Sequence, residues 1–267
     1  PAGDCVRLGL MAPLSGRARM YGPEIIHAAQ VACATVNAAG GVSGRPLVLE
    51  VADDGTHPQT AVPAALDLVG RGCVAIIGNL MSNARIAVAA QVAEPLGMPL
   101  LNFSLYEGSI GGRCFFHFAA LPNQQIDRMI PYMARRFGSK MFFAGHNYEW
   151  PRGSMDAAKA TLARLGGEAV GEFYLPWEFS DAELDQLLVR LERTGADVFV
   201  PYFAGADQIR MLTRLHALGL NDKIAVVMGH FDEVMAAQLR PEVRQGLFSC
   251  NTYFMTLPGE DNQAFLR

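Results

Sequence analysis

The sequence predicts an α/β protein made of two doubly wound parallel-sheet lobes with a ligand cleft between them. Three observations carry this. Short apolar runs alternate with helical periods along the whole chain. The runs are near-continuously apolar, as strands buried on both faces must be. The alternation restarts once, after Leu121-Pro122. Repeated β-α units of this kind form parallel sheets covered by helices on both sides.

Val6–Met11 reads as the first strand, followed by a helix over 22–38. Ile25, Ala29, Ala32 and Val36 recur there on one face. Gly40-Gly41 stops that helix, because glycine tolerates left-handed backbone. A strand over 47–51 leads to a helix over 58–69. Pro58 suits its first position, and Pro63 is expected to kink or delay it. Strands over 74–77 and 100–103 flank a helix over 83–93. A strand over 114–118 leads to Leu121-Pro122.

The second series starts with Asn123 as the cap of a helix to Arg136. Strands follow at 140–144, 168–174, 197–202, 224–228 and 247–254. Helices are expected at 153–165, 181–193, 207–218 and 231–239, with Gly219 stopping the third. The expected lobes are residues 1–120 with 250–267, and residues 121–249. Hinge strands are expected near Leu121-Pro122 and near 249–253. In open sheets of this type, ligands bind beyond the carboxyl ends of the strands, so the loops right after strands are the place to look for function.

Composition narrows the classes. The 267 residues are 51% hydrophobic and 18% charged, with a mean hydropathy of +0.16, which predicts a large core. Net charge is −4, and no basic run supports nucleic-acid binding. No apolar stretch reaches the length of a membrane span, and the start shows no charged-then-apolar signal pattern. The five cysteines (5, 33, 73, 114 and 250) form no CxxC pair and no zinc-like spacing, so they read as small buried hydrophobes.

Catalytic signatures are missing. There is no GxGxxG after a strand, no GxxxxGK[ST], no GxSxG and no HExxH. The six histidines lack metal-ligand spacing. Ser82 and His230 are the one pair that resembles a nucleophile and base, and no third group by spacing orients them. No catalytic residue, metal or cofactor is expected.

A family resemblance adds to this reading. Leu8–Ser15, Tyr21-Gly22, the run Val36-Asn37-Ala38-Ala39-Gly40-Gly41-Val42-Ser43-Gly44-Arg45-Pro46, and Asp53-Asp54 resemble the opening of type I periplasmic binding proteins of the leucine/isoleucine/valine-binding class. Met81-Ser82, Tyr106-Glu107-Gly108, Pro122-Asn123-Gln124-Gln125, and Tyr148 with Pro151-Arg152 resemble the branch of urea-binding transport proteins and amide sensors. Members of that family continue past the second lobe crossing, whereas this sequence stops at Arg267. Asn79-Leu80, Trp150 and His230 depart from the urea and amide pattern and imply a reshaped pocket.

The resemblance and the strand-end rule select the same loops. Ser82 opens a helix, where its hydroxyl and the free N–H groups suit a carbonyl or carboxylate; it also reads as an N-cap serine. Asn102 and Ser104 are expected on one side of a strand end, where an amide side chain suits an amide or urea ligand, or else staples a turn. The resemblance places aromatic residues at Tyr148 and Trp150 over the ligand. Tyr202 and Phe203 end another strand, one facing the cleft and the other the core. His230 and Asp232 follow the next strand, and Asp232 or Glu233 takes a ligand amine or caps a helix. Tyr106-Glu107-Gly108 reads as a turn outside the pocket.

The expected function is that of a solute-binding protein of an ABC-type uptake system. It captures a small polar amide, urea-like or amino-acid ligand by hinge closure and presents it to a membrane permease from the periplasm. The alternative is a cytoplasmic amide-type sensor acting on a regulatory partner protein. A sensor module of a larger receptor is a third possibility.

Overall fold

The computed structural model describes residues 5–266. The chain divides into two compact units, Pro1–Ala119 and Ala120–Arg267. The first unit holds β1 (Val6–Ala12), α1 (Gly22–Ala38), β2 (Leu47–Asp53), α2 (Pro58–Gly70), β3 (Ala75–Ile77), α3 (Ser82–Val88), α4 (Glu94–Leu96), β4 (Leu100–Asn102) and β5 (Phe115–His117). A π-helical turn over Ala89–Ala93 joins α3 to α4. Its sheet is parallel throughout, in the order β2-β1-β3-β4-β5.

The second unit holds α5 (Pro122–Phe137), β6 (Lys140–His146), α6 (Glu149–Arg164), β7 (Glu168–Leu175), α7 (Asp181–Arg193), β8 (Val198–Tyr202), α8 (Gly205–Ala217), β9 (Ala225–Met228), α9 (Glu233–Ala237), α10 (Pro241–Arg244), β10 (Leu247–Ser249) and α11 (Glu260–Phe265). Its sheet runs β10-β9-β8-β6-β7, again parallel. Both sheets are doubly wound, with the order reversing between the first and third strands of each series. These switch points lie between β1 and β3 and between β6 and β8. A crevice opens at such points beyond the strand ends.

Alternation along the central strands builds the second core. Phe142, Ala144 and Phe199 pack on one face of the sheet with Leu184, Leu187, Leu188, Met211 and Leu215 of α7 and α8. Met141, Phe143, Val198 and Val200 pack on the other face with Ile126, Met129, Ile130, Met155 and Leu162 of α5 and α6. Gly145 is required by the close approach of its neighbours. A Cβ there would lie 2.7 Å from both Met155 Cε and the Tyr202 carbonyl oxygen.

Several sequence expectations change. The helix over 22–38 is present, but its packed stripe is not the expected one. Ile25 and Ala29 are half-buried while Ala32 and Val36 are exposed. The last turns are held instead by Asn37, whose side chain bonds both the N–H and the carbonyl of Leu47 at 2.7 and 2.9 Å, and by Cys33 on the same carbonyl. Helix α2 begins at Pro58, and Pro63 inside it does not delay it. Helix α5 is capped at Leu121, so Asn123 lies within the helix.

Helix α6 starts at Glu149, four residues early, because Pro151 in the first turn needs no N–H partner. Helix α9 is shorter than expected, since Asp232 is its cap. The last strand ends at Ser249. Residues from Cys250 onward fall within the second unit. There Cys250 N–H bonds the Met228 carbonyl, and Thr256 bonds Glu233. No helix among the described residues is long and apolar enough to cross a membrane.

Candidate functional site

In the first unit, the strand ends carry polar groups that bind one another. Ser82 is the first residue of α3, and the cap position is Met81, which supplies no side-chain bond. The Ser82 hydroxyl donates to Glu107 Oε2 at 3.0 Å and accepts from Arg85 at 3.0 Å. Arg85 and Glu107 are paired at 3.3 Å with both side chains buried, and the guanidinium also lies over the Tyr106 ring. Tyr106-Glu107 is therefore tied to the start of α3. Its carboxylate holds the serine selected from sequence.

Asn102 ends β4 and is fully buried. Its amide donates to the Ser104 carbonyl and meets His117 Nδ1, each at 2.9 Å, while its Oδ1 accepts the Ser104 N–H. The expected strand alternation does not reach Ser104, because pairing stops at Asn102. Ser104 lies in the loop, its hydroxyl donating to the Leu105 carbonyl. The amide of Asn102 acts as the staple of this turn.

Two carboxylates end β2. Asp53 accepts the N–H groups of Leu14, Ser15 and Gly55 and so pins the loop after β1. Burial acts to raise its pKa, and these bonds outweigh it and hold it below the usual range. Asp54 is fully buried against Thr56 N–H and the Asn79 amide. Burial dominates there and pushes its pKa up. Asn79 Oδ1 is buried without a hydrogen-bond partner.

In the second unit, the strand ends are aromatic. Tyr148 caps α6 and Trp150 lies in its first turn, both half-buried. Trp150 meets Tyr202 and His230 edge-to-face, with ring centroids 5.1 and 4.9 Å away. Such pairs add to simple area burial. Tyr202 and Phe203 are both buried, on opposite faces of the sheet. The Tyr202 hydroxyl is buried without a partner.

His230 Nε2 donates to the Phe203 carbonyl. Burial lowers its pKa to about 4, the bond to Phe203 opposing and His146 adding to the drop. The ring is therefore neutral at pH 7, and its buried Nδ1 is an unpartnered acceptor. Asp232 accepts the Met235 N–H at 2.9 Å, the capping geometry of its two sequence readings. Glu233 takes the N–H and hydroxyl of Thr256.

Four residues at or against these strand ends were not selected from sequence. His146 ends β6 at the second switch point, bonded to Asp207 Oδ2 at 3.0 Å. Trp177, two residues past β7, stacks on the His146 ring at 4.1 Å and 16°. Gln125, quoted only within a motif, donates to the Gly229 and Cys250 carbonyls. The strand-end rule itself covers Trp177 and His146. The partners Asp207 and Gln125 lie on helices and carry no local signal. Among the described residues, no cluster of His, Cys, Asp or Glu is arranged to hold a metal ion.

Two doubly wound sheets with side chains gathered at their switch points define the two-lobed α/β fold of solute-binding proteins. Residues 5–267 match the sequence profile described as periplasmic binding protein, and the chain belongs to that family. It is similar to the Leu/Ile/Val-binding protein BraC3 of Rhizobium johnstonii, 29% identical over 227 residues that cover 82% of this chain and 60% of that protein. Leu/Ile/Val-binding protein homolog 8 of Brucella abortus is 33% identical, over 84% of this chain and 58% of its own length. The chain thus spans about three fifths of the relatives it matches. The crystal structure of a leucine-, isoleucine-, valine-, threonine- and alanine-binding protein from Brucella ovis, in a closed conformation, shares the fold. Its TM-score is 0.86 at 16% identity, over 98% of this chain and 70% of that one.

Proposed function

We propose that this chain captures a small polar ligand of the amino-acid or amide class for an ABC-type uptake system. It acts in the periplasm, closing its two lobes over the ligand and delivering it to a membrane permease. The observation that carries this reading is the half-buried pair Tyr148 and Trp150 at the carboxyl edge of the second sheet. Rings so placed offer a large contact area at little entropic cost, with polar tips for orientation. The names of the similar proteins, as binders of branched amino acids, favour an amino acid as the first compound to try.

The test is isothermal titration and thermal shift with L-leucine, L-valine, acetamide, urea and benzoate, the last as a flat carboxylate for the aromatic edge. Heat and a raised unfolding temperature with at least one compound are expected. Neither signal with any of the five sinks the reading.

A further inference from the structure

The feature of the second unit that the reading above leaves unused is the set His146, Trp177 and Asp207. His146 is fully buried at the end of β6, at the switch point. Its Nδ1 accepts the Ala204 N–H at 3.3 Å, so its Nε2 carries the hydrogen and donates to Asp207. The ring is thus fixed at both nitrogens. Trp177 lies flat on it, and Phe203 meets it edge-on at 5.2 Å.

Asp207 ties this arrangement together. It is buried in the first turn of α8, where a carboxylate suits the helix dipole. The oxygen that accepts His146 also accepts the backbone N–H of Glu178 at 2.9 Å. Glu178 has φ of +55°, a left-handed conformation that a non-glycine residue adopts only at a cost. The turn carrying Trp177 is therefore bent against its own preference and held by Asp207. Arg210 reaches the second carboxylate oxygen at 3.4 Å and the Phe179 carbonyl on the far side of the same turn. Burial works to raise the Asp207 pKa, and the His146 and Glu178 bonds overcome it, so the carboxylate stays ionised and accepting.

Trp177 keeps exposed surface and stands 5.7 Å from Tyr148, which stands 6.3 Å from Trp150. The three rings form one row along the strand ends. We propose that Trp177 is a specificity-determining contact for the flat or apolar part of the ligand, and that Asp207 and His146 are positioning residues that hold its indole in place. This rests on the ligand-capture reading given above.

Trp150 and Trp177 are the two tryptophans of the chain, so Trp150→Phe leaves Trp177 as the sole reporter. Asp207→Ala in that background removes the bonds accepted from His146 and Glu178 on one oxygen and from Arg210 on the other. Acrylamide quenching of Trp177 is expected to rise about twofold and its anisotropy to fall, as the turn loses its hydrogen bonds. Asp207→Asn retains a carbonyl oxygen for His146 and Glu178 and is expected to keep the parent values.

With Trp150 intact, L-leucine, acetamide and benzoate are titrated into the wild type, Trp177→Leu, Asp207→Ala and Asp207→Asn. For a compound that binds, Trp177→Leu and Asp207→Ala are expected to weaken Kd about tenfold, and Asp207→Asn less than about threefold, since preorganisation is lost only in the first two. Binding unchanged in Trp177→Leu overturns the proposal alone. Trp177 equally shielded in Asp207→Ala overturns the positioning role. No binding by the wild type to any compound overturns the capture reading and this proposal with it. Should Asp207→Ala fail to fold, Trp177→Leu and Asp207→Asn decide by the same affinities.

Discussion

Arg85 and Glu107 pair at 3.3 Å with side chains that are 0% and 3% exposed, and Ser82 bridges them through its hydroxyl. Charges so deeply enclosed are costly to separate. The pair ties the start of α3 to the loop after β4, so the serine singled out from sequence is part of a three-residue network.

Glu107→Ala leaves the Arg85 cation buried without its counter-charge. Such a loss costs about 3–5 kcal/mol. Urea unfolding of the variant is expected to show a midpoint lowered accordingly. The double change Arg85→Met with Glu107→Leu is expected to recover most of it, because no charge is then stranded.

His230 sets a pH dependence. In the folded chain its ring stays neutral down to about pH 4, whereas a free histidine takes its proton near 6.5. Between those values the unfolded state binds more protons. Stability from this residue is therefore complete above pH 6.5 and falls as the pH drops toward 4, by up to ~3 kcal/mol. His230→Gln is expected to flatten that limb when chemical unfolding is compared at pH 7 and pH 4.5.

Asp232 caps α9 through the Met235 N–H. Asp232→Ala is expected to lower unfolding free energy by about 1 kcal/mol, and Asp232→Asn by much less, since asparagine caps equally well. Equal losses in both variants would point to a role for the charge itself.

Gly145→Ala places a methyl group against Met155 and the Tyr202 carbonyl. Overpacking of this kind costs about 1–3 kcal/mol. Calorimetry is expected to show a lowered unfolding temperature. A variant as stable as the parent would mean that β6 and β8 have room to part.

The sequence reading recovered the α/β class and the two series of elements, because hydrophobic period and glycine stops are local signals. Helix α1 was bounded correctly at 22–38, yet its packed stripe was not, since Asn37 anchors it through Leu47, ten residues away. The start of α6 was missed because Trp150-Pro151 looks like loop. The site was legible only in part. The strand-end loops could be named from the order of elements, but what each side chain bonds there depends on partners remote in sequence. Glu107 lies 25 residues from Ser82, and Asp207 lies 61 from His146. No spacing rule reaches across such separations.

The two sheets share one strand order while their strand ends carry opposite chemistry. Asp53, Asp54, Asn79 and Asn102 close the strands of one; His146, Tyr202 and Phe203, followed by Tyr148, Trp150 and Trp177, close those of the other. The hydrogen bonds and ring contacts described for these residues remain within their own unit. Each half thus closes its strands through contacts of its own, so changes at the aromatic positions leave the hydrogen bonds of the polar half in place. Under the proposed capture role, a library restricted to the aromatic positions of the second unit is the natural starting point for redirecting this scaffold to a new compound.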